Sequence, residues 1–276
     1  MRIAIQGEAG SFSHEAALRL VAEAEIVPCA LSAEVFSALV NGSVEAAVIP
    51  IENSLAGSVV EHFDLLLAHD VKVIEEMRLR IRHNLIVLPG AALGEIDRVF
   101  SHPVALAQCR RFLAEHSKMA PLPFYDTAGA VKQLVQARDR HAAAIASEAA
   151  AHYYGAAILE TGIEDNPENY TRFFLVRRSK DAGTVPQANK MSLAFTLENR
   201  PGSLVAALSA LSALGTNLTK IESRPVHGTP WEYIFYVDCQ IRSIDEEMGA
   251  VAALRPHCGM VKDLGCYREA RQSQSV

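Results

Sequence analysis

The order of elements in the last third of the chain constrains its fold more than any other feature. Short apolar runs at residues 191–196, 218–223, 233–238 and 260–265 are interleaved with two stretches of helical periodicity, 201–214 and 244–255, giving the order βαββαβ. Few topologies bury one face of every element in that order, and it predicts the ferredoxin-like arrangement, helices against an antiparallel sheet. Leu204, Leu208 and Leu211 supply the apolar stripe of the first helix, with Pro201 where a missing N–H costs nothing. Tyr233, Phe235 and Val237 alternate with Glu232, Ile234 and Tyr236, which predicts a sheet with one buried face.

At 276 residues the chain is long for one domain. The polar segment 179–190, with Gly183 and Pro186 and no apolar period, reads as the linker. Two domains are expected, 1–180 and 190–268, followed by a frayed tail at 272–276. Upstream, strands at 3–6, 46–50, 85–88, 98–100 and 142–146 each lie near an amphipathic stretch, an α/β layout. One such helix, 130–136, turns Val131, Leu134 and Val135 to one side after a Thr127 cap.

Composition removes several functions. With 26 Lys and Arg against 32 Asp and Glu, net −6, no basic run matches a row of phosphates, so nucleic acid is not expected as a partner. No apolar run is long enough to cross a bilayer, and the chain opens directly on a strand; a cytoplasmic protein is expected. The five cysteines are scattered without Cys-x-x-Cys spacing, which predicts reduced thiols and no metal site. Gly7 and Gly10 lack the third glycine of a dinucleotide loop, and neither a Gly-Lys-Ser/Thr nor a Gly-x-Ser-x-Gly run is present, so no cofactor is expected.

Four times in the first domain a strand runs through a loop of small polar residues into a helix. The loops are Gly7 to Ser13 before 14–21, Glu52 to Ser58 before 59–68, Ser101-His102-Pro103 before 104–113, and Ser147 before 148–154. Each supplies uncommitted N–H groups at a helix start, beside side-chain donors, and such ends attract carboxylates or phosphates. Singly they read as plain caps. Converging at the carboxyl ends of strands, they predict a small anionic ligand. His102 beside Ser101 makes no triad, and Asp139 with His141 reads as a solvated helix end. On local grounds Thr171 and Arg172 simply begin the apolar strand 173–176.

Taken together, Gly7-x-x-Gly10-Ser11-Phe12-Ser13, Pro50-Ile51-Glu52-Asn53-Ser54-x-x-Gly57-Ser58-Val59, Ser101-His102-Pro103 with Gln108-Cys109, and Asn169-Tyr170-Thr171-Arg172-Phe173 resemble, in order and spacing, the signature runs of prephenate dehydratases. Arg200-Pro201-Gly202-Ser203-Leu204 and the run from Asn217 to Pro225 resemble the two regulatory runs of that family's ACT domain. The resemblance implies a catalytic domain of two α/β lobes, like the type II periplasmic binding proteins, with substrate between them. It also implies conversion of prephenate to phenylpyruvate in L-phenylalanine biosynthesis. By resemblance Thr171 faces the departing hydroxyl, with Asn53 and Gln108 also catalytic; Ser11, Ser13, Ser54 and Ser58 hold carboxylates through neutral donors. Arg172 would supply charge or brace the lobe, and Phe173 would lie at the substrate.

Two runs depart from the family pattern: in the first, Glu8-Ala9 replaces a common Pro, with Ser11 for the usual Thr, and in the second Val104 replaces a common Gln, which leaves Gln108 as the better ligand contact there. In the second domain the resemblance implies an allosteric site for L-phenylalanine at Gly202, Ser203, Leu204, Asn217 and Leu218, with Glu222, Ser223, Arg224 and Pro225 connecting it to the neighbouring domain. Pairing of ACT sheets implies a homodimer or homotetramer. Arogenate dehydratase, acting on the amino analogue, and a non-catalytic ligand-binding regulator are the competing readings.

Overall fold

Alternating apolar runs become strands wherever they can be covered on both faces, and this chain does so three times. A computed structural model describes residues 1–226 and 232–270, so the tail at 272–276 lies outside the described residues. The first elements are β1 (Arg2–Gln6), α1 (Phe12–Leu20), β2 (Glu25–Cys29), α2 (Ser32–Val40), β3 (Ala46–Asn53), the short β4 (Gly57–Ser58), α3 (Val60–Ala68) and β5 (Val71–Arg80). Next come β6 (Asn84–Val87), β7 (Arg98–Ser101), α4 (Pro103–Ala107), α5 (Arg110–Glu115), β8 (Ala120–Pro123), α6 (Thr127–Ala137), β9 (Ala142–Ala146), α7 (Glu148–Tyr154) and β10 (Ala157–Thr161). The last are β11 (Tyr170–Arg178), α8 (Ser179–Ala182), β12 (Lys190–Thr196), α9 (Ser203–Ala213), β13 (Asn217–Pro225), β14 (Tyr233–Gln240), α10 (Ile244–Leu254) and β15 (Met260–Tyr267).

Two compact units result: Met1–His62 with Met77–Phe173, and Phe63–Glu76 with the chain from Phe174 onward. The first unit holds two lobes. In one, β1 lies parallel between β2 and β3, within a sheet ordered β2-β1-β3-β11-β5 with β4 folded back on β3. Ile3, Ala4, Ile5, Val48 and Ile49 are fully buried there, because a parallel strand covered by helices on both faces has no solvent side. The other lobe is a mixed sheet, β10-β6-β9-β7-β8. One apolar cluster containing Leu85, Val99 and Ile145 and another containing Ile86, Val131 and Leu134 fill its two faces.

Two local expectations in this unit need correction. The helix expected over 104–113 is two helices, α4 and α5, broken at Gln108 and Cys109. The cause lies far along the chain: the Asp165 carboxylate accepts the Arg110 and Arg111 N–H groups at 3.0 and 2.9 Å, capping a new helix start, and Asp165 N–H donates to the Gln108 carbonyl at 2.7 Å. The cap of α6 is Asp126, whose carboxylate accepts from Gly129 N at 2.7 Å, rather than Thr127, which begins the helix.

In the second unit the order β13-β14-β12-β15, antiparallel throughout, is the ferredoxin-like sheet. Met191, Leu193, Phe195 and Val237 pack on Ala207 and Leu211 of α9 and on Ala250 and Leu254 of α10. The helix α9 starts one residue after Gly202, so Pro201 stands ahead of the helix and not in its first turn. The expected open sheet face is also absent. Ile234 and Tyr236 are buried like Val237, because residues 63–76 cover that side: the Tyr236 ring lies 4.9 Å from Phe63, and Lys190 pairs at 3.0 Å with the buried Glu76.

Candidate active site

A cavity of about 680 Å³ opens in the first unit, lined by residues of both lobes. Its walls hold Ser11, Phe12 and Ser13 from the start of α1, Asn53 and Ser58 around β4, and His83, Gln108, Thr171 and Phe173. Ser11 caps α1 through its hydroxyl, which accepts from His14 N, so the first helix points its N-terminal turn at this space. Gly10 is tied across the site: its carbonyl accepts the Ser147 hydroxyl at 2.6 Å.

Hydrogen-bond accounting fixes the polar wall. Asn53 Oδ1 accepts the Leu55 and Ala56 N–H groups at 3.0 and 2.8 Å, which turns its amide NH2 the other way. That nitrogen donates to Asn169 Oδ1 at 2.7 Å and to Thr171 Oγ1 at 3.0 Å. Thr171, receiving this bond, keeps its own proton to donate. Asn169, fully buried, passes the pattern on: its Nδ2 donates to Gln108 Oε1 at 2.9 Å. Gln108 Oε1 also faces His83 Nε2 at 2.9 Å, so the Gln108 NH2 is the end of that side chain left for a ligand. The chain Thr171–Asn53–Asn169–Gln108–His83 therefore ends in two donors on the wall, a hydroxyl and an amide.

The other expected residues are placed unevenly. Ser11, Ser13 and Ser58 line the cavity, and Phe173 is part of its wall. Ser54 does not: its hydroxyl donates to the Glu168 carbonyl at 3.1 Å and accepts Tyr170 N–H at 3.0 Å, clasping the approach to β11. Arg172 is buried on the opposite side of β11 from Thr171, with its guanidinium 3.8 Å from the Glu52 carboxylate, the bracing alternative rather than the wall. His83, Glu8 and Asp126 line the cavity although sequence reasoning gave them no role. Burial alone would raise the Glu8 carboxyl, but hydrogen bonds from Lys132 and Tyr125 bring it below its ordinary value. The Asp126 carboxylate accepts backbone N–H groups, Gly129 among them, but burial outweighs them and raises it above its ordinary value. Among the described residues no Lys or Arg lines the cavity.

In the second unit Gly202 is exposed ahead of α9, Ser203 begins the helix, and Leu204 packs on the core. Asn217 Nδ2 donates to Gln240 Oε1 at 2.8 Å, and Leu218 packs beside it on the same core. Further along β13, Glu222 lies 3.3 Å from Lys220 and Arg224 lies 3.4 Å from Asp64, while Ser223 and Pro225 are exposed.

Comparison with known proteins agrees along the chain. The prephenate dehydratase family model matches residues 3–181 and the ACT domain model residues 191–255. Arogenate dehydratase/prephenate dehydratase 2 of Arabidopsis thaliana is 38% identical over 277 residues, covering 97% of this chain and 72% of that protein. The solved prephenate dehydratase of Arthrobacter aurescens in complex with L-Phe superposes with a TM-score of 0.89 at 31% identity, covering 100% of this chain and 92% of that one. A structure described as GqqA, a novel type of quorum quenching acylases, has a TM-score of 0.88 at 30% identity and covers 98% of this chain and 99% of its own. This chain belongs to the prephenate dehydratase family of lyases and carries an ACT domain at its carboxyl end.

Proposed function

We propose that this chain converts prephenate to phenylpyruvate and that L-phenylalanine, bound at the ACT domain, inhibits it. The observation that carries this reading is the buried relay that leaves the Thr171 hydroxyl and the Gln108 amide as donors on one cavity wall. Prephenate has two carboxylates and a ring hydroxyl. As the ring carboxylate leaves as carbon dioxide, its bonding pair enters the ring and the C–O pair departs with the hydroxyl, which takes one proton to become water. Aromatisation drives the step, so the protein has to orient the dianion and stabilise the departing oxygen. A threonine hydroxyl is a poor acid, and Thr171, held by Asn53, acts as hydrogen-bond donor to that oxygen. With no Lys or Arg lining the cavity among the described residues, the carboxylates fall to neutral donors, Gln108, Ser11, Ser13 and Ser58, and to the first turn of α1.

The domain assignment is residues 1–180 for catalysis and 190–268 for regulation, supported by the two family models. Assembly into a homodimer or homotetramer, cytoplasmic location and the phenylalanine contacts at Gly202, Ser203, Leu204, Asn217 and Leu218 belong to the same proposal. Among the described residues no helix is long and apolar enough to cross a membrane.

Spectrophotometric detection of phenylpyruvate from prephenate is the primary test; tight prephenate binding without turnover would leave a ligand-binding regulator instead. Saturating L-phenylalanine should lower the rate and raise the melting temperature, and a sample unmoved in both would end the sensor reading. Arogenate is the second substrate to be tried. It is favoured by the name of the Arabidopsis relative and by Asp126, a cavity carboxylate with no Lys or Arg partner that would receive an ammonium. Competition of both substrates in one sample, read as the ratio of kcat/KM, decides the order of preference. Acyl transfer, named for one structural relative, needs a hydroxyl or thiol activated by a base. Here His102 Nδ1 accepts Val104 N–H, His83 holds Gln108, and burial pushes the Cys29 thiol up, which disfavours that chemistry at Ser11, Ser13 or Cys29.

A further inference from the structure

His83 is 2% exposed, is the third residue after β5 and lies edge-on to Phe12 with ring centroids 5.7 Å apart. Its backbone N–H donates to Glu164 Oε2 at 2.9 Å, which anchors the residue independently of its ring. The ring makes one polar contact, Nε2 to Gln108 Oε1 at 2.9 Å, and its Nδ1 is enclosed with no hydrogen-bond partner.

These facts fix the ring's chemical state. Gln108 Oε1 already accepts Asn169 Nδ2, so the atom facing His83 is an oxygen and Nε2 carries the proton. A proton on the enclosed Nδ1 would meet no acceptor among the described residues, so the other tautomer and the imidazolium each leave an unsatisfied buried donor. The Gln108 amide is locked in turn. Reversing it would set its NH2 against the N–H groups of both His83 and Asn169, trading two accepted bonds for two donor–donor contacts.

We propose that His83, as a neutral ring protonated at Nε2, is the positioning residue that keeps the Gln108 amide NH2 turned toward a substrate carboxylate. Asn169 holds the same Gln108 oxygen and is itself turned by Asn53, whose amide also sets the donor direction of the Thr171 hydroxyl. The role at the substrate rests on the dehydratase reading above; the ring state does not.

The test compares two amides. In His83→Gln the side-chain nitrogen reaches the place of Nε2, whereas in His83→Asn it reaches the place of Nδ1. His83→Asn should lower kcat/KM for prephenate by about tenfold or more, the scale of one lost hydrogen bond in a charged site, mainly through KM. His83→Gln should recover most of the loss at a similar melting temperature. Joined to Gln108→Leu, His83→Asn should add little, because the lock then has nothing to hold. Equal losses in the two folded amide variants, or losses that multiply with Gln108→Leu, overturn the proposal. Nitrogen-15 shifts of the His83 ring are read on the unmodified protein without substrate and should report the neutral Nε2–H form from pH 8 to 5.5. A ring titrating near 6.5, or carrying its proton on Nδ1, overturns it. Wild-type protein with the expected shifts and no turnover would remove the prephenate reading alone.

Discussion

Gly10 and Gly202 hold nearly the same left-handed backbone angle, φ +85° and +86°, each just ahead of a helix, in surroundings that could hardly differ more. A Cβ on Gly10 would stand 2.8 Å from Ala150 Cα, while one on Gly202 would meet nothing within 4 Å. The same contrast runs through their regions. Around Gly10 some polar groups bond to residues more than a hundred positions away, as in Asn53 to Thr171 and Gly10 to Ser147, so the cavity wall is set before any ligand arrives. Around Gly202 the backbone is open, and the nearby polar contact of Asn217 is an exposed bond to Gln240. A reaction that must hold a hydroxyl in one direction needs the first kind of site. A sensor whose state changes on binding works with the second, because free energy already spent on internal bonds cannot be released by a ligand.

The largest effect expected is on the catalytic side of that contrast. Thr171→Ala should lower kcat by roughly 100–1,000-fold, the cost of one well-placed donor, with the melting temperature nearly unchanged. Near-normal turnover would remove Thr171 from the mechanism. Gly10→Ala combines a left-handed alanine with a backbone clash and should cost about 3 kcal/mol or more of stability, measured by denaturant unfolding. Gly202→Ala carries the backbone term without the clash, about 1–2 kcal/mol, and should leave basal turnover intact while weakening inhibition by phenylalanine. Equal costs at the two glycines would erase the distinction between the regions.

The smallest effect is in pH, with opposite signs in the two units. Burial, then a hydrogen bond and the charge of Asp263, push the Glu247 carboxyl up to about 7. The folded second unit then holds a proton that the unfolded chain releases near 4.5, so this group's contribution falls as pH rises through that window. Glu247→Gln should flatten the slope. In the first unit burial lowers His14 and His83 below their ordinary 6.5. Unfolding takes up protons there, and stability is lost as pH falls below 6.5. Melting scans from pH 5 to 8, with and without Glu247→Gln, resolve the two.

Much of this was legible in the order of residues. Strand β9 and helix α7 lie where the apolar runs and Ser147 place them, and the four βαββαβ strands fall within three residues of their expected ends. The misses that span more than one or two residues share a cause, a partner remote in sequence. Asp165 splits the helix expected at 104–113, and residues 63–76 cover the sheet face that alternation left open. His83 followed no motif, since neither a lone histidine after a strand nor its enclosed Nδ1 has a local sign; only its distance to Gln108 distinguishes it.

The sequence by itself determined the βαββαβ sensor, the α/β layout ahead of it and the convergence of small polar loops, because periodicity, capping residues and glycines act over one or two turns of chain. Only the tertiary structure decided which polar atoms those loops leave unspent. Ser54 is consumed by the backbone before β11, Arg172 faces Glu52, and Gln108 is held by Asn169 and His83 so that its NH2 is left over. Donors and acceptors are satisfied in pairs, and the partners of the Ser54, Arg172 and Gln108 side chains include ones that stand far away in sequence or on another strand.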